Sequence, residues 1–351
     1  MKTKLLIASL CLILLSVHSK AQFITKYPEI PRIDVHAHPG NNYKAIRSLL
    51  EFREHMITET KADVAMWINV GARTGGETAI DTITEVSKNR IMTCISDYTP
   101  HKGLTHKAKD MPGYLKKGYV GYKIWYGTML QQVADGMIKE GDKDAKYLYV
   151  DDPNNEEVIA AMEKSGMVMA SLHIADPNGP FEKRTLCDGC YCPDPVEFWR
   201  SITGLERILQ RHPNLVVVSA HGAWLMVQEA QLDYLRYLCK TYPNFYVDLA
   251  AGWLFPANRE NLRDFFIEYS GHLLFATDIG WDNNYSPALS DNINNYSSLF
   301  RLYETDDAIE GFPIKQGLNL PKEVLENIYY KNAIKVYPGL SARMRALGYK
   351  L

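Results

Sequence analysis

The sequence RIDVHAH, residues 32–38, is a short β-rich segment in which one apolar residue separates His36 from His38. Because successive side chains of a strand point to opposite faces, both imidazoles project from the same face. Further apolar, β-rich segments recur along the chain, at residues 62–70, 90–98, 119–126, 167–175, 214–221, 244–251 and 272–279. Longer segments of the chain separate these eight strand-like segments. This alternation predicts eight βα units and an α/β fold of the TIM (β/α)8 barrel type.

Helical patterns lie between these strand segments and after the last one. They cover residues 43–56, 77–88, 155–164, 194–211, 227–242, 259–269 and 321–336. The alternative architecture, a doubly wound open sheet, would place a Gly-rich phosphate loop after the first strand, where this chain has the histidine pair. The longest connections, residues 99–118, 127–154, 176–193 and 280–320, follow strands three, four, five and eight. We expect these long loops to cover the catalytic face of the barrel.

Residues 1–21 have the features of a cleaved signal peptide. Lys2 and Lys4 precede an apolar run of 13 residues, which is too short to span a bilayer, and cleavage is expected after Ala21. A lipid anchor on Cys11 is the alternative, but Leu10 stands where a small residue is normally required. The sequence therefore predicts an exported protein, periplasmic or extracellular.

The remaining residues, 22–351, fit one barrel domain. Removing the signal segment takes away three lysines and no acidic residue, which changes the formal net charge from −2 to −5. This mildly acidic balance argues against nucleic acid as a partner and leaves a small-molecule substrate as the expected one. No membrane contact is expected after signal removal. The sequence leaves the oligomeric state open, with a homo-oligomer among the possibilities.

Three more ionisable residues interrupt apolar strand segments near their carboxyl ends. They are His173, His221 and Asp278. A buried ionisable group is costly unless it is paired or bound to a metal, and packing does not explain several at separate strand ends. The carboxyl ends of TIM-barrel strands are where catalytic residues gather. Together with the histidine pair, these residues predict a metal site at that end of the barrel.

The order of these residues along the strands resembles that of the amidohydrolase superfamily. Within it, the chain is similar to the branch that includes aminocarboxymuconate semialdehyde decarboxylase, hydroxybenzoate decarboxylases and sugar-lactone hydrolases. The similarity extends to LENIYYKNA, residues 325–333, which matches the last helix of the family. The resemblance implies that one divalent metal is bound by His36, His38, His173 and Asp278. It also implies that His221 faces the metal-bound water, either as a catalytic group or as a residue that supports the ligands. As a carboxylate beside that water, Asp278 is the expected catalytic proton acceptor. Zinc suits imidazole ligands best, with iron, manganese and nickel as alternatives.

Further candidate residues lie near other strand ends. Lys123, on the fourth strand, is interpreted as a substrate-binding or acid-paired residue; in binuclear members of the superfamily a carboxylated lysine here bridges two ions. Arg73 is a candidate clamp for a substrate carboxylate, with an ordinary exposed arginine as the alternative. Asp248 is a candidate for orienting a neighbouring histidine. Tryptophans near strand ends, Trp281 among them as a substrate-binding candidate, predict an aromatic pocket; the others are Trp125, Trp224 and Trp253.

Three cysteines, Cys187, Cys190 and Cys192, lie close together in one connection. In an oxidising compartment they predict one disulfide, with a structural zinc site as the alternative.

Three functions are compatible with the sequence. The first is hydrolysis of a small cyclic ester or amide, such as a lactone, by a metal-activated water. The second is non-oxidative decarboxylation of an unsaturated or aromatic acid. The third is a non-catalytic binding protein that holds a metal. The complete set of predicted ligands argues against this third function.

Overall fold

The computed structural model describes residues 23–71, 79–97, 103–125, 141, 149–174, 195–250, 255, 258–280 and 289–351, with the backbone alone at 195–197 and 289–290. The predicted signal segment and parts of the long connections lie outside these ranges. Among the described helices, none is long and apolar enough to cross a membrane.

In the described part of the chain, ten strand segments form two parallel sheets. They are β1 (Arg32–His38), β2 (Val64–Asn69), β3 (Ile91–Thr93), β4 (Ile95–Asp97), β5 (Gly121–Trp125), β6 (Val168–His173), β7 (Val217–Ser219), β8 (Phe245–Asp248), β9 (Leu273–Leu274) and β10 (Ile279–Gly280). The first sheet has the order β10-β1-β2-β3, and the second runs from β4 to β9 in sequence order. Each strand therefore pairs with its neighbour in the chain, as in a barrel of βα units.

Two interrupted strands join the sheets into one ring. β3 and β4 flank Cys94 and form the third barrel strand: the Cys94 N–H donates to the Asn69 carbonyl on β2, and the Val120 N–H before β5 donates to the Thr93 carbonyl. β9 and β10 form the eighth strand. Between them, the Phe275 carbonyl accepts from the Val35 N–H of β1 at 3.0 Å. The predicted TIM barrel is thus confirmed, with each of its eight strands at a predicted position.

The described helices pack around this ring. They span Tyr43–Thr60, Ile80–Val86, Met111–Lys117, Glu156–Ser165, Pro195–Arg211, Glu229–Thr241, Arg259–Glu268, Leu289–Glu304, Lys322–Glu326, Asn332–Val336 and Leu340–Ala346, with a π-helical turn at Asn327–Lys331. All seven predicted helical regions contain helix. Helices Met111–Lys117 and Leu289–Glu304 lie inside segments that were predicted as loops. The first has seven residues, too few for a clear helical period, and the second carries three asparagines and three serines, which favour turns.

The described residues form two apolar clusters. One lies inside the barrel and includes Val35, Ile68 and Val218, while the larger one packs the outer faces of the strands against the helices. Tyr337 and Leu340 from the C-terminal helices belong to the inner cluster. The interior of the barrel is thus filled with packed side chains, as is typical of this fold.

At the amino end of β1, Arg32 forms a buried ion pair with Glu304. Its Nη2 donates to Glu304 Oε1 at 2.8 Å, and both side chains are fully buried. The same Nη2 donates to Thr25 Oγ1 at 2.7 Å, and Nη1 donates to the Ile30 carbonyl at 2.6 Å. This pair fastens the segment before β1 and helix Leu289–Glu304 to the start of the first strand.

Candidate metal centre

The histidine pair of β1 faces the aspartate of the eighth strand. His38 Nε2 lies 3.0 Å and His36 Nε2 lies 3.3 Å from Asp278 Oδ1. A register shift in the pairing of β1 with β2, between Asp34 and Ala37, accompanies this arrangement. Such irregularities re-aim side chains near active sites. The two imidazoles thus reach one carboxylate oxygen across a single β-ladder.

His221 and His173 stand beside this group. His221 Nε2 lies 3.9 Å from Asp278 Oδ2, and the His221 ring is 5.2 Å from the His36 ring, centroid to centroid. The His173 ring lies 5.0 Å from that of His221, and Trp125 and Trp224 pack against it. The structure therefore gathers all five residues of the proposed centre at one end of the barrel, with His173 beyond His221.

Asp248, at the end of β8, contacts His36 from the opposite side. Its Oδ2 accepts a hydrogen bond from His36 Nδ1 at 2.9 Å, and its Oδ1 accepts from the His221 N–H at 2.9 Å. A proton held on His36 Nδ1 leaves the Nε2 lone pair free for an ion, which is the usual arrangement of a metal-binding histidine. This contact has the geometry expected for the predicted orienting role of Asp248.

Lys123, on β5, is buried next to the same histidine. Its Nζ donates to the Ser171 carbonyl at 2.7 Å and lies 3.4 Å from His36 Nε2. This position places its amine among the candidate ligands. A substrate-binding role and a carboxylated, bridging lysine both remain predictions.

Burial sets the charge states of this group. It lowers the pKa of His36 and His173, and it lowers that of His221 to about 4. Burial alone would raise the pKa of Asp278, but His36, His38 and His221 bring it well below its ordinary value. Neutral imidazoles and an ionised carboxylate are the forms that bind a divalent cation.

Two sets of ligand atoms among the described residues are close enough to share one ion. The first is His36, His38 and Asp278, and the second is His36, His221 and Asp248. The first fits a metal better, because Asp248 already accepts hydrogen bonds on both of its oxygens. His173 Nε2 is buried without a hydrogen-bond partner, which is costly for a polar atom unless it meets a ligand. The donor set therefore fits a divalent ion.

Strained backbone lies under several residues of this mouth. Ser171 has φ +44°, and Asp278 has φ +58°. Four consecutive residues after β7, His221 to Trp224, also have φ between +56° and +61°, where side chains are disfavoured. In this turn the indole of Trp224 stacks on the His221 ring at 4.4 Å. Strain of this kind persists where surrounding contacts hold it, most often at functional sites.

Beneath the site, Asp34 joins the first and eighth strands. Its Oδ1 accepts from the His36 N–H at 3.0 Å, and its Oδ2 accepts from Thr277 Oγ1 and the Tyr296 hydroxyl at 2.6 and 2.5 Å. These contacts fix the backbone of one histidine relative to the residue before Asp278. Asp34 was not among the predicted site residues, although an acid inside a buried strand is a signal that could have identified it.

Several predicted residues lie outside the described part of the chain. They are Arg73, Trp253, Trp281, Cys187, Cys190 and Cys192. Of the cysteines that the structure describes, Cys94 and Cys239 are both buried and free.

Comparison with known proteins supports the fold. A family model described as amidohydrolase matches residues 139–339. The solved structure of an uncharacterized TIM-barrel protein from Bordetella bronchiseptica matches with a TM-score of 0.52 and 16% identity, over 90% of this chain and 99% of that one. A probable 2-pyrone-4,6-dicarboxylic acid hydrolase from Acinetobacter baumannii matches with a TM-score of 0.53 and 12% identity, over 87% and 98%. No curated protein matches the chain. At such identities the structural likeness shows the fold alone.

Proposed function

We propose that this chain, which belongs to the amidohydrolase family, is a zinc-dependent hydrolase of small cyclic esters or amides. Members of the family are enzymes that use a divalent metal. Lactones are the first substrate class that we propose. The observation that carries this proposal is the convergence of His36, His38 and Asp278 at 3.0 to 3.3 Å in the barrel mouth. We assign metal binding to these three residues and to His173. His221 is left as a catalytic group.

The chemistry follows from the residue types and their positions. A bound divalent ion lowers the pKa of water and polarises a carbonyl group. Asp278 has a 27% exposed side chain, whereas His36 and His38 are almost fully buried, so this acid meets incoming water. Asp278 Oδ2 accepts a proton as the water oxygen bonds to the acyl carbon. It returns that proton to the alcohol or amine that leaves.

His221 acts on the substrate in its neutral form. With a pKa lowered to about 4 by burial, its ring carries no charge at neutral pH. With its proton on Nε2, it donates a hydrogen bond to the substrate carbonyl oxygen. Its Nε2 lies 3.9 Å from Asp278 Oδ2, beyond a direct hydrogen bond, so the two groups can contact different oxygen atoms, the substrate carbonyl and the attacking water. The stacked Trp224 indole holds the ring in this orientation.

Elemental analysis of the purified protein and of two variants tests the metal assignment. We expect about one zinc ion per chain, loss of the ion in His36→Ala, and weaker retention in Asp278→Asn. The matched control is His55→Ala, whose histidine is exposed on the first helix and pairs with Glu59, and which should retain the ion. Close to two ions per chain, both lost in Lys123→Ala, would instead assign a lysine-bridged pair of metals.

A substrate panel tests the reaction. Lactones and cyclic amides should be hydrolysed, and Asp278→Asn should reduce turnover by at least about 100-fold, because it removes both a metal ligand and the proton acceptor. The panel should include 2-pyrone-4,6-dicarboxylic acid, since one structure of the same fold is named as a probable hydrolase of this compound. Release of carbon dioxide from an aromatic acid, with no lactone turned over, would replace hydrolysis by decarboxylation.

A further inference from the structure

Ser171 contacts both groups that flank the His36 ring. Its hydroxyl donates to Asp248 Oδ2 at 3.0 Å, and that oxygen also accepts from His36 Nδ1. On the other side of the ring, the Ser171 carbonyl accepts from Lys123 Nζ, which lies 3.4 Å from His36 Nε2. One serine thus ties together the neighbours of both nitrogens of a single histidine.

These four side chains are removed from water. Ser171 and Asp248 are fully buried, and His36 and Lys123 are 1% exposed. Asp248 Oδ1 accepts from the backbone N–H groups of His221 and Ala250, so the protein supplies two donors to each carboxylate oxygen. Without the Ser171 hydroxyl, Oδ2 would keep one of its two donors. In the dry interior no water replaces the lost one, and the carboxylate would be held less firmly in its orientation.

The backbone of Ser171 gives a second, independent reason to assign a role to its hydroxyl. At φ +44° this residue has a conformation that glycine adopts without strain and that residues with a side chain rarely adopt. A serine at this position retains a backbone cost that glycine would avoid. The hydrogen bond from the Ser171 hydroxyl to Asp248 Oδ2 offsets part of this backbone cost.

We propose that Ser171 is a positioning residue for the metal centre. It holds the Asp248 carboxylate in the orientation that keeps the His36 proton on Nδ1 and the Nε2 lone pair toward the ion. This inference rests on the proposed metal centre. It concerns metal affinity, which is measured without substrate.

The test compares zinc affinities of Ser171→Gly and Ser171→Ala with that of the full-length wild type, by competition with a chromophoric chelator. We expect both variants to bind zinc about 10- to 100-fold more weakly, the usual effect of losing a partner that orients a ligand. Without metal, Ser171→Gly should melt at a higher temperature than Ser171→Ala, because both lose the hydroxyl and only glycine relieves the backbone strain at this position. Ser171→Ala reports on the hydroxyl if the glycine variant fails to fold.

Ser219→Ala is the matched control. Ser219 is also fully buried, on the adjacent strand β7, but its hydroxyl donates to the Leu172 carbonyl at 3.2 Å. Its loss should leave zinc affinity within about twofold of wild type, as expected for a hydroxyl that does not contact a ligand-orienting group.

A double-mutant cycle with Asp248→Asn identifies the route of the effect. If Ser171 acts through Asp248, then Ser171→Gly should weaken zinc binding no further in the Asp248→Asn background. Unchanged affinity in both serine variants, an equal loss in Ser219→Ala, or a fully additive cycle would overturn the inference alone. A wild type that binds no divalent ion would overturn the proposed metal centre and this inference together.

Discussion

Arg32→Met should destabilise the protein strongly while leaving its metal site intact. The substitution removes a fully buried guanidinium that bonds to Glu304, Thr25 and the Ile30 carbonyl. The methionine retains a long apolar side chain. Glu304 would then lose its buried cationic partner and keep the Thr25 and Tyr329 hydroxyls as its side-chain donors.

The expected loss follows from this burial. Breaking a fully buried ion pair by removing one partner costs about 3–5 kcal/mol, because the other charge stays desolvated and unpaired. The Arg32 guanidinium also stacks 4.9 Å from the ring centroids of Phe300 and Tyr329, which favours the upper part of this range. For a domain whose total stability is about 5–15 kcal/mol, this is a large fraction. At roughly 2 °C per kcal/mol, the melting temperature should fall by roughly 6–10 °C.

Thermal and urea unfolding of three variants measure the effect. Arg32→Met/Glu304→Gln should recover much of the loss, since the charge that was left unpaired becomes neutral. Zinc content should match wild type at 25 °C, because Arg32 lies at the amino end of β1 and the histidine pair lies at its carboxyl end. Lys322→Met is the control: its ion pair with Glu29 is exposed, and its melting temperature should not change. A drop below about 2 °C in Arg32→Met, or no recovery in the double variant, would refute the reasoning, which requires several kcal/mol from a buried pair.

Three further predictions concern the metal, acid stability and export. Removing the ion with a chelator should lower the melting temperature, and added zinc should restore it, because a ligand that binds the folded state stabilises it; equal melting curves would contradict this. Burial opposes the ionisation of Asp151, but Arg200 and Arg207 lower its pKa in the folded state. The ionised Asp151 therefore stabilises the fold above its ordinary pKa of about 4, and this stabilisation is lost as the pH falls through the lower pKa of the folded state. Asp151→Asn should therefore flatten the acid side of the melting-temperature profile, and a profile parallel to wild type would count against this role. We propose export by a cleaved signal, so N-terminal sequencing of the exported protein should begin near Gln22, and a chain that keeps Met1 would argue against cleavage.

Local patterns predicted the architecture well, because strand and helix periods are visible within short windows of sequence. The eight strand segments and the seven helical regions all occur near their predicted positions. The break of the eighth strand between Leu274 and Ile279 was not predicted. That break brings Asp278 to φ +58°, a conformation held by contacts with β1 that are distant in sequence.

The candidate site was predictable where a residue type is unusual for its place in the chain. His36, His38 and Asp278 interrupt apolar strands, and the structure brings their side chains together. Ser171 and Thr277 give no such signal, because serine and threonine are common in strands and their contacts are with residues far along the chain. The roles of Ser171 and Thr277 depend on hydrogen-bond partners, Asp248 and Asp34, that lie far from them in the sequence.

The sequence by itself determined the barrel, the strand that carries each candidate ligand and the end of the barrel where they meet, since parallel strands with regular connections point their carboxyl ends the same way. Only the tertiary structure decided that Asp248 contacts His36 Nδ1, that Lys123 lies beside His36 Nε2 and that Ser171 joins the two. These contacts depend on strand register, on a shift in β1 and on left-handed backbone at strand ends. Each of these is set by packing between separate segments of the chain, as between Lys123 and Ser171, 48 residues apart, and between Ser171 and Asp248, 77 residues apart, which the local sequence does not encode.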